Sequence, residues 1–406
     1  MKHAQNWLVA AGRTYSHVPE NRGIPDFAQP LIIGPEGAIL VSESSQYQQL
    51  ASNVLRGTFI RDLPKSERNK SMKPDRLHFA FLSSLLLLSM SFPCAAQTCF
   101  SSDDMSPAAR SALQATGMRY FGMVAHGDAA SLKQNSIPDV ANNFTAIENT
   151  IKDNQEALAG ATATPRPPFM LKAEGTAPIP KADFLCGVFG STGQTKDSAE
   201  FTIPNLPPGT YGIVILDAPA QTTAFTISFI LEQQGTDWKV AGFYVRPAQT
   251  AGHDSSWFLD RARGFKAKGQ NHNAWLYFIE GRELAMPLPF MYTQATDKLY
   301  DEAQAVKPTD WPVDGSTADL ASPDGKTYKL TTIFPYSVNQ DLDVVVKYQV
   351  PSVADTGQTF QENVNVMHGL LTKFPELRDA FASVIARAVQ PDGKDYGSLL
   401  PMKDVK

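Results

Sequence analysis

The sequence predicts an α+β protein: helices packed on a curved antiparallel sheet, then a helical hairpin and a small C-terminal α+β unit. Three observations lead there. Helical spacing fills the stretch before Gly160, strict alternation fills 199–247, and the helical period returns from His253. With 406 residues, 43% hydrophobic and 19% charged, the chain is long enough for more than one buried core.

The elements begin after an apolar run at 77–92, preceded by Lys73 and Arg76 and followed by Cys94, Ala95 and Ala96. That run is shorter than the roughly 20 residues of a bilayer-spanning helix, and the order basic, apolar, small is that of a secretory signal. The expectation is a signal peptide over 72–96 with translation from Met72, and residues 1–71 as an over-long reading of the gene or a disordered extension. The alternatives are a cytoplasmic 1–71 held by a signal anchor, and lipid attachment at Cys94, which the bulky Phe92-Pro93 disfavours. Upstream, only "PLIIGPEGAILVS" has a pattern, that of a hairpin.

The first 96 residues hold 10 of the 36 basic and 7 of the 41 acidic side chains, so the remainder carries 26 against 34, a net charge of −8. An acidic chain argues against nucleic acid as partner, and against a membrane except through an uncleaved signal. Cys99 and Cys186 are the two cysteines left, and an oxidising compartment makes a disulfide between them the expectation; two free thiols are the alternative.

Ser106-Pro107 starts a helix reaching about Leu132, with Ala109, Leu113 and Met118 on one face, and a second helical stretch runs from Val140 to Gly160. "TATPRPPF" breaks the pattern. Phe201 and Ile203 alternate up to the Pro207-Pro208-Gly209 turn, and Tyr211, Ile213 and Ile215 after it. Phe225, Ile227, Phe229 and Leu231, a turn at Gly235, then Trp238, Val240 and Tyr244 form a hairpin. These helices and strands, ending in "DWKVAGFYV", resemble an NTF2-like or cystatin-like α+β cone over roughly 105–247, which places a domain of that kind at 97–250. The resemblance implies an apolar pocket used for binding or catalysis. "FTIPNLPPGTYGIVI" is similar to the strand–turn–strand of prealbumin-like β-sandwiches, to which leading helices do not belong.

Phe258, Ala262, Phe265 and Gly269, then Ala274, Phe278, Gly281 and Ala285, repeat one helical spacing on either side of "GQNHN". This hairpin resembles a single tetratricopeptide-like unit. It is expected to dock on the sheet domain within 251–307, with "DKLYDEAQAV" as a third helix. Residues 308–324 read as a linker. In 325–406, Tyr328, Leu330 and Phe334, and Val344 to Val350 in alternation, predict two strands. Helical faces are expected around Val364, Met367, Leu371 and Phe374 and, beyond Pro375, Leu377, Phe381, Val384 and Ala388.

The chain shows no metal or nucleophile signature, and no cofactor is expected. "GVFGSTGQTK" at 187–196 has Gln194 where a phosphate loop requires lysine. His253 and Asp254 lie at a helix start, and with Glu200 they are the acid–base candidates, although Asp254 or Ser255 also reads as a helix cap. Glu280 and Glu283 read as a wet helical face, and His272 as part of a polar loop. Trp257, Trp275 and Tyr277 are the candidate ligand or partner surface. The resulting expectation is an extracytoplasmic, non-catalytic protein that binds an envelope protein or a small apolar ligand. The alternative is a pocket hydrolase or isomerase of the NTF2-like type.

Overall fold

The computed structural model describes residues 31–33, 39–41, 97–188, 195–220, 223–313, 315–338 and 340–405. The signal at 72–96, most of the 1–71 extension and the centre of the phosphate-loop-like turn lie outside these residues. The upstream hairpin is present as β1 (Leu31–Ile33) paired antiparallel with β2 (Ile39–Val41). β3 (Gln97–Phe100) precedes four helices: α1 (Pro107–Ala125), α2 (Ala129–Gln134), α3 (Pro138–Asn142) and α4 (Thr145–Leu158). The single helix expected to reach Leu132 is two, because Gly127 adopts φ 71° and the Asp128 side chain accepts the Ser131 amide, capping a new start.

β4 (Thr164–Pro165), β5 (Phe169–Ala173), β8 (Gly209–Pro219), β9 (Ala224–Gln234) and β10 (Asp237–Pro247) join β3 in an antiparallel sheet of order β10-β9-β8-β5-β3, with β4 also on β8. The β9–β10 hairpin turns through two residues, the first being Gly235 at φ 64°, as a tight strand reversal requires. A second sheet, of order β13-β7-β6, is built from β6 (Ile179–Cys186), β7 (Ala199–Leu206) and β13 (Met291–Tyr292). The Pro207-Pro208 turn therefore carries the chain from one sheet to the other.

Two faces of the large sheet are covered. Val214, Leu216, Phe225, Ile227, Phe229 and Leu231 meet Leu113, Tyr120, Val124, Ile147 and Ile151 of the helices. Ile213, Ile215 and Tyr244 meet Phe184 and Phe201 of the small sheet. Burial on both sides explains why β8 reads "YGIVIL", apolar without interruption, where a half-exposed strand would alternate. Cys99 of β3 is bonded to Cys186 of β6, with their Cα atoms 5.0 Å apart, joining the outer strands of the two sheets.

α1 lies close on β8 because two glycines face the contact. A Cβ on Gly117 would collide with the Val214 side chain, and one on Gly212 with Leu113. Ala109 and Met118 flank this face, whose buried residues are Leu113, Gly117, Tyr120, Phe121 and Val124. Gly117→Val is expected to cost about 1–3 kcal/mol through overpacking. Gly122→Ala, on the same helix with open space around it, should gain up to about 1 kcal/mol. Thermal unfolding of the two variants checks this opposite pair of signs.

After β11 (Gln249–Thr250) and β12 (His253–Asp254) come α5 (Ser255–Ala267) and α6 (Asn271–Ala285), the expected helical hairpin, and then α7 (Gln294–Gln304). Its apolar residues Phe258, Ala262, Phe265, Ala274 and Phe278 share one core with the C-terminal unit. The hairpin meets the end of the large sheet through Thr250–Glu280 and Arg246–Glu283, and the segment after α6 pairs β13 with β7 and buries Leu288 and Met291 in the core between the two sheets.

The C-terminal sheet has the order β14-β15-β16-β17-β18, formed by β14 (Ala318–Ala321), β15 (Thr327–Val338), β16 (Asp341–Gln349), β17 (Ser383–Val389) and β18 (Asp395–Pro401). β16 and β17 are parallel, and α8 (Thr356–Lys373) with a 3-10 turn (Pro375–Asp379) makes the crossover that parallel pairing requires. The helical face expected beyond Pro375 is a correction: Val384, Ala386 and Ala388 are alternate residues of β17 pointing into the core. A spacing of four fits both periods, and β-branched Val384, Ile385 and Val389 tip it to strand. The stretch read as a linker contains β14 and buries Trp311.

Candidate functional site at the sheet–hairpin joint

The chain passes from the large sheet to the hairpin through a two-residue turn, Ala251 at φ 51° and Gly252 at φ 74°, a pair suited to a tight hairpin. A left-handed alanine costs about 1–2 kcal/mol, and here the methyl packs against the hairpin core. The turn delivers His253 and Asp254 to the start of α5. Asp254 accepts the Trp257 amide at 3.0 Å and the Ser256 hydroxyl at 2.7 Å, so it is the helix cap. Those hydrogen bonds, the Trp257 amide's foremost, hold its carboxyl below the usual range. The His253 ring lies parallel to Trp257 at 3.7 Å between centroids, and Arg261 sits over the same indole at 5.2 Å.

Beneath this stack, the Ser255 hydroxyl donates to the Gly281 carbonyl at 2.6 Å, tying α5 to α6 where Gly281 allows close crossing. Glu280 is a correction to the wet helical face: it is 4% exposed and accepts the Thr250 hydroxyl at 2.5 Å. Glu283, one turn on, bonds Arg246 of β10 at 2.9 Å, and Arg246 also donates to the Glu283 carbonyl. The i, i+3 spacing places both glutamates on one helix face, and the sheet end that covers the first leaves no trace in that spacing.

Burial, with the neighbouring Glu283 charge adding to it, pushes Glu280 up to about 7, against the Thr250 hydrogen bond and Arg246. A carboxyl raised in the folded state costs nothing below its unfolded value near 4.5. Stability is lost as pH rises from there to about 7, and the loss is constant above. For that shift the linkage is on the order of 3 kcal/mol. Chemical denaturation at pH 5 and pH 8 should therefore show a smaller loss of stability on raising the pH in Glu280→Gln than in the unaltered chain.

His272 opens α6 between two carboxylates, Glu376 at 2.7 Å from Nδ1 and Asp310 at 3.0 Å from Nε2, with Trp311 stacked on its ring. Burial opposes ionisation of Asp310, but the hydrogen bond and charge of His272 hold its carboxyl below the ordinary range. The carboxylates stand on opposite sides of the imidazole, so they clamp three segments together and cannot share one ion. The polar loop expected at His272 is thus a clamp. Among the described residues, no group of three or more His, Cys, Asp or Glu side chains is arranged to hold a metal ion.

The other candidates fall elsewhere. Glu200 is half-buried on the outer side of β7, its neighbours Ala199 and Phe201 pointing into the core, and burial with Asp183 and Asp297 raises its carboxyl. No hydrogen bond or ion pair joins it to His253 or Asp254 among the described residues. Of the three aromatics expected on a surface, only Trp257 is half-exposed. Trp275 is buried, and Tyr277 is buried with its hydroxyl donating to the Ala380 carbonyl at 2.6 Å. Thr250, Arg246, Asp310 and Glu376 complete the arrangement and carried no sequence signal, since each acts through a partner distant in the chain.

No family model matches this chain, and neither the curated proteins nor the solved structures contain a match to it. No helix among the described residues is long and apolar enough to cross a membrane.

Proposed function

We propose that the chain is an exported, non-catalytic binding or interaction protein of the cell envelope, taking an envelope protein or a small apolar ligand. The observation that carries this reading is the engagement of the acid–base groups at the joint. Asp254 caps a helix, His253 stacks on Trp257, Glu283 pairs with Arg246 and Glu280 bonds Thr250. Each holds elements together. The disulfide supports an oxidising, extracytoplasmic setting. Helices over one face of an antiparallel sheet support an NTF2-like or cystatin-like reading of 97–250, and the α5–α6 crossing at Gly281 supports a tetratricopeptide-like one for the hairpin.

One observation favours the hydrolase or isomerase instead. Glu280, near 7, lies in the range a general acid or base needs at neutral pH. The deciding experiment places a photo-crosslinking amino acid at half-exposed position 257 in the native host and assays the purified chain on ester and ketosteroid-type substrates. A discrete envelope adduct with no turnover is expected. Turnover abolished by Glu280→Gln would contradict the binding reading.

A further inference from the structure

We infer that the outer face of the C-terminal sheet is a dimer interface: two copies of this chain pack face to face about a two-fold axis along the row Phe334, Val345, Ile385 and Leu399. The inference is independent of any partner at Trp257.

The inner face of that sheet is closed by α8 and the hairpin, with Val344, Val346, Val384 and Ala386 in their shared core. The residues between these point the other way. The pairing register sets one from each of four strands side by side: Phe334 beside Val345, Val345 beside Ile385, and Ile385 beside Leu399. None of the four joins any of the three hydrophobic cores. Phe334, Ile385 and Leu399 are half-buried, and Val345, flanked by the first two, is fully buried. β16 reads "DVVVKY" and β17 "SVIARAV", apolar on both faces at this row, which is the pattern of strands covered on two sides. A continuous apolar row on an outer face marks an association surface.

The charges on either side of the row say what covers it. On the outer face of β16, Asp341 and Asp343 precede Val345 and Lys347 follows it. Asp341 is exposed, Lys347 lies over the Phe334 ring at 5.6 Å, and neither makes an ion pair among the described residues. Asp343 is buried, and its Oδ1 has no hydrogen-bond partner among the described residues. Burial, with the Asp341 charge adding to it, pushes this carboxyl up to about 6 against the Ser383 hydrogen bonds. One end of the face thus lacks a cation. At the other end Arg387 is engaged by Asp395, and Lys347 beside it is the cation available.

A second copy supplies what is missing. An axis along the apolar row lays each strand over itself in the reverse direction, so Val345 meets Val345 and each Lys347 lies over the acidic end of the other copy's β16. An axis parallel to the strands would bring the two basic ends together. Sheets packed in the aligned way stand about 10 Å apart, a gap that a lysine and an aspartate side chain bridge between them. Four strands about 4.8 Å apart, over about eight residues of about 3.3 Å, give roughly 500 Å² per copy, the low end of specific interfaces. The dimer should therefore dissociate on dilution.

The test is sedimentation equilibrium of the purified chain from low to several hundred micromolar, with thermal unfolding as the check that each variant folds. The unaltered chain should pass from monomer to dimer over that range. Leu399→Arg, at a half-buried edge position, should remain monomeric. Lys347→Glu should weaken association about tenfold or more, since it sets like charges opposite one another. Adding Asp341→Lys to it restores an opposite pair and should recover much of the affinity, which a merely structural role for Lys347 would not produce. A chain that is monomeric throughout, with the face open or covered by something other than a second copy, would overturn the inference. So would association undiminished in Leu399→Arg, which places the contact elsewhere, or a double variant no tighter than Lys347→Glu.

Discussion

Reducing the Cys99–Cys186 bridge is expected to lower the stability of the chain by about 2–5 kcal/mol, one of its largest single losses. The bridge closes a loop with a sequence separation of 87, for which the chain-entropy account gives on the order of 4–5 kcal/mol. Its position adds a second reason. β3 and β6 belong to different sheets, and the bridge joins them at one side of the core filled by Phe184, Phe201 and Ile213. Opening it lets that side of the small sheet lift. Urea unfolding with and without a reductant measures the effect. Cys99→Ser, made at the half-buried partner so that no buried thiol is replaced by a hydroxyl, should unfold at the midpoint of the reduced chain and ignore the reductant. Coincident midpoints for the oxidised and reduced chain would contradict a structural role for the bridge.

Phe201→Ala is expected to cost about 3–5 kcal/mol, as large as the loss of the bridge. The ring is fully buried between the sheets and meets Phe169 edge-on at 5.1 Å between centroids. The strands around it are fixed by their own ladders, with β6 on one side and β13 on the other, so the site cannot collapse to fill the space. Ile203→Ala, two residues along the same strand but only half-buried, should cost clearly less. Equal losses at the two positions in denaturant unfolding would mean that the small sheet does not pack as a second layer.

The period of the apolar residues makes much of this architecture legible in the sequence. The β9–β10 hairpin followed from Phe225, Ile227, Phe229 and Leu231 around Gly235, and the α5–α6 pair from the matched spacings of Phe258 and Ala274. Period fails where two readings coincide, as at Val384 and Ala388, or where composition looks like a connector, as around Trp311 and β14. The small sheet was only partly readable, because β6 carries Lys181 and Asp183 on an outer face that masks Ala182 and Phe184 beneath. At the joint, Asp254 as a cap was legible, since capping is local in sequence. The burial of Glu280 was not: a glutamate on a helix looks alike whether water or the end of a sheet covers it. His272 was hidden for the same reason, its two carboxylates lying 38 and 104 residues away.

The proposed function rests on the chain working in an oxidised state outside the cytoplasm. Mass spectrometry of the protein taken from its native host, alkylated before any reductant is added, tests it most directly. A peptide pair linked through Cys99 and Cys186, on a chain whose first residue lies near Gln97, is the predicted result. Two alkylated cysteines on a chain that still carries Met1 would contradict it.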